Sequence, residues 1–347
     1  MIRIGIVGIG FMGMIHYYSA RKLKGAKVTA ICTRDRKKRA GDWRSIRGNF
    51  GPRGGKEDLA GVKPYASIDE IVADPDVDLL DICLPSDLHR PAAVAGLKAG
   101  KHVLVEKSIA LSVADADAMV AAAGKARRQL TVAHVLPFFP EFAYARQAIA
   151  SGEHGKLIGA HFKRVISTPD WSADIASLEK TGGPGIDLHI HDTHFIALAC
   201  GVPKAVYSRG RMQNGYVEYL TTHYLYDDSG PCVTCSSGAV SQPGREFTHG
   251  FEVYFENATL LYEFATLGKK PVSVMPLTLL TADGKVKQPK LKGGDPLGAF
   301  TAEIQAAVDG VRTGRQPELL SSALARDALR LCHLEAKSVE TGRVVKV

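Results

Sequence analysis

The sequence has few features of chains that depend on disulfide bonds or membranes. Its 347 residues include only six cysteines and two tryptophans, and aromatic residues make up 7% of the total. The cysteines are dispersed, mostly in apolar segments typical of reduced core thiols. No apolar run approaches the roughly 18 residues that a membrane-spanning helix requires. The first strand signal begins directly after Met1, so we expect no secretory leader and a cytoplasmic location.

Basic and acidic residues are scattered along the chain, except in one short basic loop. The chain has 44 basic and 36 acidic residues, which gives a net charge of +8. This moderate excess favours an anionic small molecule over nucleic acid as a partner. A chain of 347 residues exceeds the length at which a single core stops growing, so we expect two domains.

Two of the cysteines, Cys232 and Cys235, form a CxxC pair. A zinc site needs a second pair of ligands and a redox motif needs a helix start, whereas residues 232–240 alternate like a strand. We therefore expect no metal or redox centre at this pair.

The most informative stretch is GIGFMG at residues 8–13, which directly follows a strand signal. In this pattern the first glycine permits a tight turn, the second admits a pyrophosphate, and the third lets the next helix pack against the strand. The start of that helix then presents amides to the anion. The candidate cofactor-binding residues of the turn are Gly8, Gly10, Phe11, Met12 and Gly13.

The order of the strand and helix signals predicts the fold class. Short apolar strands at residues 27–32, 78–84 and 102–105 are separated by helical stretches, which is typical of a parallel sheet. We expect an α/β Rossmann domain over residues 1–132. Residues 133–347 predict an α+β domain with a large, mostly antiparallel open sheet. Helices are expected to cover one face of this sheet, which leaves the other face exposed. We therefore expect a homodimer or homotetramer that buries this second face.

The loop after the second strand bears on the choice between NADP and NAD. NAD-binding folds place an acid here to bind the ribose hydroxyls, but Thr33 and Arg34 stand at the expected position. A hydroxyl and a guanidinium suit the 2′-phosphate of NADP, and basic residues at 36–38 reinforce the positive field. Alternatively, Asp35 binds the ribose of NAD. We favour NADP; the long loop 39–61 has no readable role.

The pair Glu106-Lys107 ends another strand of the predicted parallel sheet. Ligands of open α/β sheets bind beyond the carboxyl ends of the strands, so Lys107 is expected to face the cofactor crevice. In the alternative interpretation the lysine only pairs with Glu106 or with a surface carboxylate.

A third cluster of polar residues follows the glycines at 182–185. If the chain is helical from about Asp187, then Asp187, His191 and His194 lie on one face of the helix. An imidazole with a neighbouring carboxylate suits proton transfer near neutral pH. A zinc site on this face and a purely structural histidine cluster are the alternatives.

Together these features resemble the glucose-fructose oxidoreductase, inositol dehydrogenase and MocA family over nearly the whole chain. The matching landmarks are the glycine turn followed by His16, the CLPSDLH segment at 83–89, Glu106-Lys107, the glycines before Asp187-x-x-x-His191, the late helix at 302–317, and Ser338-x-x-x-Gly342.

The resemblance implies an oxidoreductase that transfers hydride between NADP or NAD and a carbinol carbon of a sugar or cyclitol. It implies that Lys107, Asp187 and His191 are catalytic, with His191 as the base or acid, Lys107 stabilising the alkoxide, and Asp187 orienting substrate and imidazole. Further cofactor contacts are implied for Pro85, His89 and Glu106, and tentative substrate contacts for His134, Trp171 and His194.

Three positions depart from the family pattern. Ser108 replaces the proline that usually follows the lysine, His134 begins a segment that usually carries arginine or tyrosine, and His194 replaces an aspartate. The particular sugar is therefore open. Two rival functions also remain: an NAD-dependent glycoside hydrolase or lyase of the same fold, and a non-catalytic nucleotide sensor.

Overall fold

The structure is a computed structural model that describes residues 1–48, 50–168, 177–291 and 295–347. The chain forms two compact units. The first comprises Met1–Phe138 and Gly294–Arg326, and the second comprises Phe139–Gly293 and Asp327–Val347. The first unit thus takes in a C-terminal segment that the sequence pattern assigned to the second domain.

The elements are as follows. The strands are β1 (Ile2–Val7), β2 (Ala26–Cys32), β3 (Lys63–Tyr65), β4 (Leu79–Ile82), β5 (His102–Glu106), β6 (Leu130–Ala133), β7 (Leu157–Ser167), β8 (Ala205–Gln213), β9 (Tyr216–Leu225), β10 (Cys232–Val240), β11 (Arg245–Phe255), β12 (Ala258–Leu267), β13 (Lys270–Thr281), β14 (Val286–Lys287) and β15 (Val345–Lys346). The helices are α1 (Phe11–Ala20), α2 (Arg36–Arg39), α3 (Ile68–Ala73), α4 (His89–Lys98), α5 (Val113–Ala126), α6 (Pro140–Ser151), α7 (Leu178–Thr181), α8 (Pro184–Asp187), α9 (Ile190–Cys200), α10 (Gly298–Thr313) and α11 (Ser322–Thr341).

The first unit is a Rossmann fold, as predicted. Its six strands are parallel and lie in the order β3-β2-β1-β4-β5-β6. The residues of β4, and those of β5 after His102, are buried, as is typical of a parallel sheet covered by helices on both faces. Helix α5 is capped by Ser112, whose hydroxyl accepts a hydrogen bond from the amide of Asp115.

Helix α10 joins the first unit because its apolar face completes that core. Ile304 and Val308 are fully buried in one cluster with Ile4 and Met14 of β1 and α1. The helix ends at Gly314, which has the left-handed conformation expected of a C-terminal cap. Packing against α1, rather than chain order, therefore sets the boundary of the unit.

The second unit is built on a nine-stranded sheet in the order β14-β13-β12-β11-β7-β10-β9-β8-β15. Within the part of the chain that the structure describes, β7 and β10 pair in parallel and the remaining neighbours are antiparallel, as predicted. Phe142 of α6 and Phe195 of α9 pack edge-on at 5.2 Å between ring centroids, and Phe142 also contacts Phe251 of the sheet. The helices thus cover one face of the sheet.

One expectation about local structure was wrong. The single helix expected from about Asp187 is broken, because α8 ends at Asp187 and α9 begins at Ile190. None of the helices within the described ranges is both long and apolar enough to cross a membrane.

Candidate active site

The glycine turn after β1 has the geometry that its sequence predicts. Gly8 has a φ of +97°, and a side chain there would meet the carbonyl oxygen of Cys83 at 2.7 Å. A Cβ on Gly13 would fall 1.9 Å from the carbonyl oxygen of Gly8, so only glycine lets α1 pack this closely.

The same turn leaves space for an anion. Among the described residues, a Cβ on Gly10 would meet nothing within 4 Å, and no side chain caps the amides at the start of α1, where Phe11 and Met12 lie. Uncapped amides at a helix N-terminus and an open backbone approach suit a pyrophosphate. The residues present therefore fit a dinucleotide.

The loop after β2 presents Arg34 and commits Asp35 to another role. The carboxylate of Asp35 caps α2 by accepting hydrogen bonds from the amides of Lys37 and Lys38, at 2.8 and 3.2 Å. These bonds lower the pKa of Asp35. Arg34 is exposed, and Thr33 is held by a hydrogen bond from its amide to the carbonyl of Tyr65.

Pro85 precedes the turn that follows β4, and His89 opens the helix after it. The ring of His89 is fully buried, with Nδ1 2.7 Å from the carbonyl oxygen of Ser108 and Nε2 2.8 Å from that of Leu84. Burial lowers the pKa of His89, although both carbonyls favour the charged ring. His89 therefore joins the loops after β4 and β5, and its contact with a cofactor stays a prediction.

Lys107 follows β5 in a loop held by buried contacts. Its amide donates a 3.0 Å hydrogen bond to Oε2 of Glu106, and the hydroxyl of Ser108 donates one to the carbonyl of Ala110. The peptide bond between Lys107 and Ser108 is cis. The serine that replaces the usual proline is fully buried and bonded through both its hydroxyl and its carbonyl.

Glu106 also belongs to a charged cluster beneath the glycine turn. No local sequence pattern predicts this cluster as a whole. Its Oε1 lies 3.1 Å from Nε2 of His16, whose Nδ1 lies 2.9 Å from Asp81. Burial opposes charge on His16, but Asp81 and the neighbouring Cys83 raise its pKa well above the usual value. Burial likewise opposes the charge of Glu106, but the bond and charge of His16 lower its pKa.

Cys83 and Glu303 complete the buried cluster. Burial raises the pKa of the Cys83 thiol, which lies 3.5 Å from His16 Nδ1. Glu303 of α10 is fully buried, and neither carboxyl oxygen has a hydrogen-bond partner among the described residues. Burial raises its pKa well above the usual range, assisted by Glu106 and Asp81 and opposed by His16. The cluster thus places the imidazole of His16 between Asp81 and Glu106, with Cys83 and the buried carboxyl of Glu303 nearby.

One sequence signal could have revealed this cluster. Asp81 lies inside β4, whose other residues are apolar and fully buried, and a buried carboxylate requires a cationic or hydrogen-bonding partner. The identity of that partner depends on the fold, since His16 is 65 residues away in sequence.

In the second unit, the glycine-rich loop positions Asp187 and His191. Gly182 and Gly183 both have positive φ, and α8 begins at Pro184 directly after them. Asp187 and His191 are both partly exposed. Asp187 lines a cavity of about 60 Å³ together with Thr168, Thr181, Gln213, Tyr216 and Glu218.

Buried polar contacts anchor the elements on either side of His191. His189 is fully buried, with Nε2 2.8 Å from Glu335 and Nδ1 2.9 Å from the hydroxyl of Ser237. Arg164 of β7 forms a two-bond ion pair with Asp192 of α9, at 2.6 and 3.2 Å. These contacts tie the start of α9 to the sheet.

The three residues expected to contact the substrate differ in what the structure shows of them. His194 is fully buried, and burial lowers its pKa to about 3, so the ring is neutral. His134 is also buried, directly after β6. Trp171 lies outside the described residues. Substrate contacts by these three residues stay predictions.

The structure brings several of the predicted positions to one edge of the first sheet. The glycine turn, Arg34, Pro85 and Lys107 follow the carboxyl ends of β1, β2, β4 and β5. The strand order reverses between β1 and β4, which is where ligands of open α/β sheets bind.

Two protein-family models match the chain. One, described as an oxidoreductase family with an NAD-binding Rossmann fold, matches residues 2–134. The other, described as the GFO/IDH/MocA C-terminal domain, matches residues 142–261. Together they cover most of both units.

Curated relatives and solved structures agree with this match. The chain is 29% identical to a 1,5-anhydro-D-fructose reductase from Ensifer adhaerens over 74% of the chain and 75% of the reductase. It is 30% identical to a myo-inositol 2-dehydrogenase from Thermotoga maritima over 55% of the chain, which is about half (52%) of that enzyme. An oxidoreductase from Agrobacterium radiobacter in complex with NAD+, L-tartaric acid and magnesium has a similar fold, with a TM-score of 0.78, 18% identity and coverage of 99% of this chain and 98% of that one.

Proposed function

The chain belongs to the GFO/IDH/MocA oxidoreductase family, and on that premise we propose that it transfers hydride between NADP or NAD and a sugar, cyclitol or sugar derivative. The reacting carbon is a carbinol carbon in one direction and a carbonyl carbon in the other. The observation that carries the proposal is the alignment of the dinucleotide turn, Pro85 and Lys107 along one edge of the parallel sheet.

Three side chains are assigned to the reaction. A nicotinamide cofactor, when bound, would supply the hydride chemistry at its C4 atom. The ammonium group of Lys107 binds the reacting oxygen of the substrate and stabilises its developing negative charge. His191 takes up or releases the hydroxyl proton, and Asp187 orients the imidazole and the substrate.

We assign NADP as the preferred cofactor. Arg34 is exposed beyond β2, where dinucleotide folds bind the ribose of adenosine, and a guanidinium suits the 2′-phosphate. The rival ribose ligand, Asp35, already caps α2 through two backbone amides. The complex of the Agrobacterium oxidoreductase with NAD+ keeps NAD as the competing cofactor.

The substrate class follows from the second unit and from the relatives. The cavity beside Asp187 offers the hydroxyl groups of Thr168 and Tyr216 and the amide of Gln213, which suit a polyhydroxylated substrate. Two relatives are named for an anhydrofructose and for myo-inositol. These names support sugars and cyclitols as the compounds to test first.

The deciding experiment measures absorbance at 340 nm with NADP or NAD and a panel of sugars, inositols and sugar acids. Net cofactor reduction with a free sugar supports the dehydrogenase. Cleavage of a glycoside without net reduction supports the rival hydrolase, and binding without turnover of any substrate supports the sensor. Lys107→Ala is the matched control, because we expect it to bind cofactor without turnover.

We also propose that the chain forms a homodimer or homotetramer through the sheet of the second unit. Val272, Val274 and Met275 of β13 are 36%, 48% and 38% exposed, which leaves an apolar strip at this end of the sheet. Light scattering after size-exclusion chromatography should give two or four chains per particle, and Val274→Asp should reduce that number. The control Val344→Asp changes an exposed valine outside the sheet, and a monomeric wild-type protein contradicts the proposal.

A further inference from the structure

Two buried histidines flank the main chain of Lys107. On one side, His16 contacts Oε1 of Glu106 at 3.1 Å, and Oε2 of the same carboxylate accepts the Lys107 amide at 3.0 Å. On the other side, Nδ1 of His89 lies 2.7 Å from the carbonyl oxygen of Ser108. Helices α1 and α4 are therefore both linked to this short loop.

The two oxygens of Glu106 make the link to α1 specific. Oε2 of Glu106 accepts the Lys107 amide and Oε1 is in ion-pair contact with His16, which restrains the carboxylate more than the amide contact alone, because a carboxylate held at one oxygen still rotates about its last torsion. His16 is itself held from behind by Asp81, at 2.9 and 3.0 Å. The path Asp81–His16–Glu106–Lys107 N is continuous and almost entirely buried.

The opposite charges of the imidazolium and the carboxylates also favour the contacts of His16 with Asp81 and Glu106. His16 Nδ1 lies within hydrogen-bond distance of both oxygens of Asp81, and Nε2 makes a 3.1 Å ion-pair contact with Oε1 of Glu106, so each buried carboxylate faces the same imidazole. Burial raises the pKa of Glu303, the remaining acid in the cluster, which disfavours a third carboxylate beside His16. The imidazole of His16 thus contacts both Asp81 and Glu106.

We infer that His16 is a positioning residue for Lys107, acting through the carboxylate of Glu106 to hold the lysine main chain. The restraint on the main chain depends only on the contacts of Glu106 with His16 and with the Lys107 amide. Its consequence for catalysis rests on the proposed function, in which Lys107 binds the reacting oxygen.

The main competing explanation for the cluster is a bound metal ion. The ligand atoms of His16, Asp81 and Cys83 all lie within 4.8 Å of one another. However, His16 Nδ1 lies at hydrogen-bond distance from both oxygens of Asp81, and its Nε2 faces a second carboxylate. The Asp81 carboxylate thus occupies the hydrogen-bonding direction of Nδ1, the ring nitrogen that also lies 3.5 Å from the Cys83 thiol, as in an ion pair rather than a metal site.

Hydrogen–deuterium exchange resolved to the Lys107 amide tests the inference on the cofactor-free full-length protein. We expect His16→Gln to accelerate exchange at Lys107 about tenfold, the effect of weakening one hydrogen bond. Exchange in β1 and β4 should stay within about twofold of wild type. If His16→Gln does not fold, Asp81→Asn weakens the same ring from the opposite side and should give a smaller acceleration.

A double-mutant cycle separates action through Glu106 from general loosening. In the Glu106→Gln background, His16→Gln should add little, because the carboxylate through which it acts is already gone. Two control variants should leave Lys107 exchange unchanged: Ser19→Ala, another buried polar residue of α1, and Glu303→Gln, a neutral replacement in the same cluster.

Four results overturn the inference. These are unchanged exchange at Lys107 in His16→Gln and Asp81→Asn, equal acceleration throughout β1 and β4, additive effects in the cycle, and stoichiometric metal in the purified protein by mass spectrometry.

A kinetic measurement separates this inference from the proposed function. With a substrate that turns over, His16→Gln should lower kcat about tenfold and leave KM for the cofactor within about twofold. If exchange at Lys107 accelerates and kcat does not change, the positioning role stands and the catalytic role of Lys107 is wrong.

Discussion

The guanidinium of Arg34 lies beyond β2, where a 2′-phosphate would distinguish NADP from NAD. We expect Arg34→Ala to weaken NADPH binding by about 10- to 100-fold, the range for loss of one charge-assisted hydrogen bond, and NADH binding by less than about twofold. Fluorescence titration of the two reduced cofactors measures both constants. Arg36→Ala, also exposed and two residues along, reports the effect of general positive charge. Equal losses for the two cofactors in Arg34→Ala contradict the assignment.

Glu303 provides a residue-scale prediction about stability. Its folded pKa lies well above the ordinary 4.5, so its contribution to stability is full below about pH 4.5 and is lost as the pH rises toward the raised pKa. Glutamine has a similar shape and cannot ionise. We therefore expect Glu303→Gln to increase the free energy of unfolding at pH 7 to 8 by about 1 to 3 kcal/mol.

Urea unfolding at a series of pH values checks this prediction. The gain from Glu303→Gln should shrink to nothing below about pH 4.5, where glutamate is neutral in the folded and unfolded chain alike. A loss of stability at pH 7, or a gain that does not depend on pH, contradicts a neutral Glu303. Glu318→Gln on the surface of the same unit is the control.

At this scale the sequence predicted the glycine turn but not the partners of buried charges. Gly8 and Gly13 could be assigned because a six-residue pattern specifies both their conformation and their packing. His16 was recognised only as a family landmark. Its partners Asp81 and Glu106 come from distant segments, and no local pattern links side chains that meet only in the folded chain.

At the scale of elements, the segment around Asp187 shows why residue spacing alone was insufficient. Asp187 and His191 were expected one turn apart on a single helix, but α8 ends at Asp187 and α9 starts at Ile190. The amides of Asp187 and His189 bond back to Gly183 and Pro184, which completes the first short helix. Periodicity identified the helical character of the segment but not the break within it.

The ion pair between Arg164 and Asp192 gives an element-scale prediction. Both side chains are buried, and the pair docks α9 on β7. Asp192→Asn leaves the guanidinium buried without its counter-charge, so we expect a loss of about 3 to 5 kcal/mol in the free energy of unfolding by urea denaturation. The double variant Arg164→Met/Asp192→Leu removes both charges and should recover most of that loss.

The double variant also tests whether this pair matters for function apart from stability. If α9 must be held in register for His191 to act, Arg164→Met/Asp192→Leu will fold and still show reduced kcat. A double variant as unstable as Asp192→Asn contradicts the explanation based on an unpaired charge.

For the molecule as a whole, the fold class was predictable and the division into units was less so. Alternating strand and helix signals gave the parallel sheet, and period-two segments gave the antiparallel one. The assignment of α10 to the first unit depends on Ile304 and Val308 packing against Ile4 and Met14. An amphipathic helix near the end of a chain shows that it has a buried face, but not which core that face completes.

The proposed function assigns the proton transfer to His191 and the stabilisation of the alkoxide to Lys107, which leads to a prediction about the whole chain. Lys107→Ala and His191→Ala should each lower kcat by about 10²- to 10⁴-fold while cofactor binding stays within about twofold by fluorescence titration. Because groups that act on one chemical step are strongly non-additive, the double variant should be scarcely slower than the worse single variant. Multiplicative losses in the double variant indicate separate roles, and full activity in either single variant removes that residue from the mechanism.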